Sequence, residues 1–221
     1  MMYLLASSQP ILFVCIPGKQ NTQQIQSGFD ELIGAGKTMA FGRIKDLDAM
    51  ITSSPVTAII ASEPFFTYTP GYEITLEGTS GNSVGEKYHI VSASNAITLE
   101  EISEKKVGIV DFLGKERLPR FVKDQFGIEI KTIRRVNKEE DLLTMIGMEA
   151  VDAIIVSESQ LEEIESNTKI KLVTIATSAS TVGLAVYGQK KGNGNDNQKK
   201  ILLKAPLSLL KEIGIDGWES H

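Results

Sequence analysis

The chain has 221 residues, 42% hydrophobic and 23% charged, with a net charge of -5 at pH 7. That is an ordinary globular composition, long enough for one large core or two small ones. The acidic balance, with no Lys/Arg-rich face interleaved with aromatics, argues against nucleic acid as a partner. It leaves room for a small anion, since a local pocket can oppose the global sign.

Cys15 is the one cysteine, and His89 and His221 are the two histidines. This removes an internal disulfide, a thiolate metal cluster and a CxxC redox motif, and it argues against a histidine metal site. Cys15 lies in an apolar run, Ile11 to Ile16, and reads as a buried structural thiol. The start, Met1 to Ser8, is apolar and then small, without a positive flank and too short to span a membrane. It reads either as the tail of an export signal or as a plain extension.

Taken in order, Pro10 to Ile16 reads as a strand, broken by Pro17-Gly18. Asn21-Thr22 caps a helix from Gln23 to about Leu32, with Ile25, Phe29, Leu32 and Ile33 at helical spacing. Next come a strand over Lys37 to Phe41, a helix around Asp46 to Ile51, and the run Val56-Thr57-Ala58-Ile59-Ile60-Ala61-Ser62-Glu63. This β-α-β-α-β order predicts a mostly parallel sheet with helices on its faces. An aromatic, turn-rich stretch from Pro64 to Tyr72 follows, then segments of partial β character at Glu73 to Leu76 and Lys87 to Ala93.

A second α/β unit then unfolds. Thr98 to Ile102 reads as a short capped helix, Val107 to Val110 as a strand, and Gly114 to Phe126 as a helix stopped by Gly127. Ile128 to Ile133 reads as a strand, Asn137 to Met148 as a helix, Gln160 to Ser166 as another and Lys171 to Ala176 as a strand. Between them stands Val151-Asp152-Ala153-Ile154-Ile155-Val156-Ser157-Glu158, a near-repeat of the earlier run. Each copy is a β-branched apolar stretch ending in Ser-Glu, as expected of a strand buried on both faces whose polar end opens into a crevice. Thr181 to Tyr187 would carry the chain back towards the first unit. Gly188 to Asn197 reads as a surface loop, and Gln198 to about Ile213 as one final helix, with Trp218 packing the tail down. His221 receives no role.

The pattern resembles the periplasmic solute-binding protein superfamily, type 2, and within it the phosphate/phosphonate-type substrate-binding components of ABC transporters. The resemblance rests on Leu99 to Val110, on the Gly-Met-Glu-Ala-Val-Asp-Ala-Ile-Ile-Val-Ser run from Gly147, and on the return segment from Thr181. Where the family carries Gly-Lys before its second-lobe strand, this chain has Lys105-Lys106. The resemblance implies an α/β fold of two lobes with mostly parallel sheets, joined by crossover strands at a hinge. The lobes are expected over 10–92 and 93–182, with 183–221 returning to the first. It implies a small-molecule solute and a membrane permease as partners, a periplasmic location, a monomer, no cofactor and no chemical step.

Open α/β sheets bind ligands at the carboxyl ends of their strands, and free N–H groups at helix starts attract anions. Four places follow. Gln20, Asn21 and Thr22 either donate to a ligand or cap a helix. Ser62, with Phe65 and Tyr68, either forms a ligand wall or packs, while Glu63 there would repel a bare anion. Gly114, Lys115 and Arg117 form the best anion receptor, unless Asp111 and Glu116 take those cations as salt-bridge partners. Ser157 or Ser159, with Thr181 nearby, either bonds a ligand or caps the next helix. The favoured function is capture of a small anionic solute by cleft closure. The alternatives are a sensor domain, an enzyme of lyase or transferase type on the same fold, and a relative acting only through protein contacts.

Overall fold

Apolar runs of four or five residues, buried on both faces, set the architecture. The computed structural model describes residues 12–18, 21–54, 56–93, 97–192 and 195–221. The first half contains β1 (Leu12–Cys15), α1 (Thr22–Ile33), β2 (Thr38–Phe41), α2 (Ile44–Ser53), β3 (Ala58–Ser62), α3 (Glu63–Thr67) and β4 (Tyr72–Thr79). The middle contains β5 (Gly85–Glu86), β6 (Tyr88–Ser92), α4 (Leu99–Ile102), β7 (Lys106–Val110), α5 (Gly114–Phe126), β8 (Thr132–Val136), α6 (Glu139–Gly147), β9 (Ala153–Ser157), α7 (Glu158–Asn167) and β10 (Val173–Thr177). The end contains β11 (Val182–Gly183), β12 (Ala185–Lys190), α8 (Asp196–Leu202), α9 (Leu207–Glu212) and β13 (Gly217–Ser220).

The strands make two large sheets, ordered β13-β4-β12-β3-β1-β2 and β10-β6-β9-β7-β8. In each, three strands at one end run parallel (β3-β1-β2 and β9-β7-β8), and the strand that arrives from the other lobe, β12 or β6, runs antiparallel beside them. The third sheet is the crossing itself, β5 against β11, pairing Val182 with Glu86 and Gly183 with Gly85. The crossing strands are close-packed. A Cβ on Gly85 would lie 2.5 Å from the Val182 carbonyl, and one on Gly183 would lie 2.6 Å from Glu63 Cβ, so neither position has room for a side chain.

The two-residue strand period divides the core. In β1, Leu12 and Val14 face α1, α8 and α9 alongside Ile25, Phe29 and Leu209, while Phe13 and Cys15 face the opposite way. In β9, Ile154 and Val156 pack under α6 and α7 with Leu142 and Ile164, while Ala153 and Ile155 turn inward. The inward faces of both sheets join one continuous buried cluster, in which Phe13, Ile59 and Phe65 meet Ile109, Phe112 and Phe121. The lobes are therefore in contact through apolar side chains.

Several expectations need correction. The strand over Lys87 to Ala93, placed in the first lobe by the 10–92 boundary, pairs with β9 and β10 in the second sheet, so the crossing precedes Tyr88. Gly188 and Gln189, read as loop, belong to buried β12. The single terminal helix is two, because Pro206 lacks an N–H and starts α9 afresh after α8 ends at Leu202. The strand after α5 begins at Thr132 and not at Ile128. Pro64-Phe65-Phe66 forms α3, with Pro in its first turn. Trp218 does hold the tail, from within β13 against β4. His221, given no role, pairs its Nδ1 with Glu77 Oε1 at 3.1 Å.

Candidate functional site

A cavity of about 180 Å³ lies between the two sheets. Its walls are strand ends. Cys15, Ile16 and Pro17 come from β1, Ser62 from β3, Ile109 and Val110 from β7, and Ser157 from β9. The hinge side adds Glu86, Tyr88, Gly183 and Leu184, and the second lobe adds Phe112, Glu139, Ser159 and Gln160. The two Ser-Glu strand ends thus meet across one space, each from its own lobe.

The start of α7 faces this space, and its donors are already used. Glu158 N–H donates to Lys87 O at 2.8 Å. Ser159 N–H donates to Glu86 Oε2 at 2.9 Å. Gln160 N–H donates to Ser157 Oγ at 3.3 Å, and Ser157 N–H returns a bond to Gln160 Oε1 at 3.0 Å, closing a capping box. The Gln160 amide also donates to Glu139 Oε1 at 2.9 Å. At the start of α5, Asp111 Oδ1 accepts from Gly114 N–H at 2.7 Å while its Oδ2 pairs with Arg135 at 2.6 Å. In both helices a carboxylate of the chain sits where an external anion would.

Tyr88 stands between the acids. Burial, then the charges of Glu86 and Glu139, push its hydroxyl well above the ordinary tyrosine range, so it stays protonated and can donate. Burial likewise raises the Cys15 thiol, helped by Asp48 and Asp46 against an opposing pull from Arg117. The thiol is a wall atom and a poor nucleophile.

The structure brings together Ser62 and Ser157 of the expected site residues. Gly114, Lys115 and Arg117 line a separate depression with Asp48, Tyr68 and Arg120. Arg117 is committed there, donating from Nε to Leu113 O at 2.6 Å, from Nη1 to Thr69 Oγ1 at 3.0 Å and from Nη2 to Asp48 Oδ2 at 2.5 Å. Phe65 is wholly buried in the core, with the Arg117 guanidinium 5.1 Å from its ring centre. Tyr68 donates to Asp124 across the lobes at 2.5 Å. Thr22 borders a third depression with Arg43, Asp46, Asn137 and Lys138, and Asn21 beside it is exposed. Thr181 is exposed next to β11. Gln20 lies outside the described residues.

Sequence reasoning missed Glu86, Tyr88, Glu139 and Gln160 as wall residues, while Ser159, named with Ser157, does line the cavity. The capping box was visible as Ser157 followed three residues later by Gln160. Glu86 was not, because its role depends on where the crossing strands pair.

No protein-family model matches the chain, and no curated protein matches it. Solved structures do. The binding-protein component of an ABC phosphonate transporter from Pseudomonas aeruginosa is 14% identical with a TM-score of 0.67, covering 96% of this chain and 82% of that one. A Xanthomonas citri protein bound to ATP is 9% identical with a TM-score of 0.70, covering 96% and 91%. PhnD1 of Prochlorococcus marinus, in complex with methylphosphonate, is 11% identical with a TM-score of 0.64, covering 96% and 93%. At such identities the likeness is one of fold. Two lobes, a central antiparallel insertion in each sheet and a paired-strand crossing give this chain the two-lobed, type 2 periplasmic solute-binding-protein fold.

Proposed function

We propose that the chain is the substrate-binding component of an ABC-type transporter, capturing a small solute between its lobes and passing it unchanged to a membrane permease. One observation carries the reading: a cavity walled by the carboxyl ends of β1 and β3 from one sheet and β7 and β9 from the other, the place where open α/β sheets bind ligands. Closure of two lobes about the β5–β11 crossing would complete that cavity around a solute. Among the described residues no helix is long and apolar enough to cross a membrane. Capture and hand-over would place the chain on the periplasmic side of its permease, acting as a monomer.

The finer expectation of a phosphate- or phosphonate-like solute draws support from two of the neighbours, one from a phosphonate transporter and one holding methylphosphonate. It draws none from the cavity wall, where no Lys or Arg stands among the described lining residues.

A thermal-shift screen of the purified chain tests the reading, using phosphate, phosphonates, sulfate, amino acids, small amines and neutral polyols. A ligand that binds the folded state raises the midpoint with its concentration. The expected result is a dose-dependent rise with one chemical class and recovery of the compound unchanged. Turnover of the compound would favour the enzyme reading, and a flat response across all classes would sink solute capture.

A further inference from the structure

We infer that the cleft holds its solute by a protonated amine seated between Glu86 and Glu139. This rests on the solute-capture reading and names the solute's chemical class.

An anion entering the cavity finds little to bind. The first three N–H groups of α7 donate to Lys87 O, Glu86 Oε2 and Ser157 Oγ, and the carboxylate of Glu86 already answers the positive end of that helix. The neighbouring cations are spent elsewhere. Lys87 Nζ donates to the carbonyls of Ser178 and Ala179 at 3.2 and 3.1 Å. Arg135 pairs with Asp111 and Arg117 with Asp48.

A cation finds the opposite. Glu86 and Glu139 both reach the cavity wall, and each has one oxygen engaged, by Ser159 N–H and by the Gln160 amide. Among the described residues neither carboxylate has an ion-pair partner within 4.0 Å. An ammonium reaching both carboxylates makes two charge-assisted hydrogen bonds. Its third N–H can go to a hydroxyl oxygen, with Ser62 and Tyr88 lining the same cavity. The cavity, about 180 Å³, has room for a small amine.

The test is isothermal titration of the full chain with ethanolamine, ethylammonium, methylphosphonate and inorganic phosphate at constant ionic strength. Glu86→Gln and Glu139→Gln serve as variants, both near-isosteric and checked for an unchanged circular dichroism spectrum. The inference expects an amine to bind, each variant to weaken it tenfold or more, and binding to fade as pH rises through the amine's own pKa. Tighter binding of methylphosphonate or phosphate to the native chain overturns the inference while leaving solute capture standing. Amine binding untouched by both variants also overturns it. If neither amine binds, the inference fails, and solute capture stands or falls with the thermal-shift screen.

Discussion

Replacing Arg117 by methionine should loosen the closed form. Arg117 belongs to α5 in the second lobe, and three of its four contacts reach the first: Asp48 Oδ2 at 2.5 Å, Thr69 Oγ1 at 3.0 Å and the Phe65 ring at 5.1 Å. Asp48 is 42% exposed, against 16% for Arg117, so water screens the ion pair and it is worth about 0.5–1 kcal/mol. The Thr69 bond adds about 1 kcal/mol and the stacked ring about 0.5–1 kcal/mol. Methionine keeps the apolar stem packed, so the loss is about 2–3 kcal/mol of closure, or roughly 30- to 150-fold in the ratio of closed to open molecules. Spin labels on Lys45→Cys and Lys115→Cys, both exposed and on opposite sides of this contact, report the ratio as a distance distribution. The buried native Cys15 should not take label. Arg117→Met should add a longer-distance population, and solute affinity should fall by the fraction of closed molecules lost. Tyr68→Phe, which removes the Tyr68–Asp124 bridge, should enlarge the effect. A double variant with an unchanged distribution and unchanged affinity would refute the reasoning and leave the apolar cluster as the sole fastening.

Two further outcomes concern stability. A Cβ at Gly188 would lie 2.8 Å from Cδ1 and Cζ of Phe66, a ring wedged edge-on between Phe65 and Tyr72. Gly188→Ala should therefore cost about 1–3 kcal/mol by overpacking, read as a lower urea midpoint; an unchanged midpoint would show that the ring can move aside. Alkaline pH should also destabilise the chain. Tyr187 is fully buried, donating to Gln198 Oε1 at 2.9 Å and accepting from Gln189 at 2.8 Å, and burial pushes it from 10.0 up to about 12. Tyr68 and Tyr88 are raised further by burial and nearby carboxylates. A raised folded pKa means the folded state holds its proton after the unfolded state has lost it, so the contribution is whole below pH 10 and lost as pH rises towards 12. Urea midpoints should be flat with respect to these groups up to about pH 10 and fall beyond it; a flat profile to pH 12 would contradict the burial of these hydroxyls.

The fold was legible where local pattern and tertiary fate coincide. The runs ending at Ser62 and Ser157 are unbroken and β-branched, and both became central strands flanked on both sides. Ile25 and Phe29 at helical spacing became the buried face of α1. Legibility failed where the deciding partner is remote in sequence. Gly188 and Gln189 look like the start of a polar loop, yet β12 is clamped between β3 and β4 and continues through them. Tyr88 to Ser92 alternates well enough for a strand, but only pairing with β9 assigns it to the second lobe. Lys115 and Arg117 have the composition of an anion receptor at a helix start. That reading overlooked Asp48, 69 residues from Arg117; Asp111, weighed there as a rival, does bond the start of the helix, through Gly114 N–H.

The repeated Ser-Glu strand end shows how one local design yields two different walls. Both serines stand at an N-cap, Ser62 before α3 and Ser157 before α7. Ser157 is buried, with Gln160 in the matching position, so its hydroxyl is drawn into the capping box. Ser62 is followed by Glu-Pro-Phe-Phe-Thr, which supplies no Gln or Glu three residues on and ends after five residues; its side chain makes no cap bond. Glu63 turns away as well, accepting from Thr67 Oγ1 at 2.8 Å. The first-lobe wall therefore offers the solute a hydroxyl, while the second-lobe wall closes its own donors and presents Glu139, with Glu86 beside it from the hinge. An acidic face opposite a neutral hydroxyl suits a solute with a cationic end, and which of the two serine hydroxyls stays free follows from the residue three places after each.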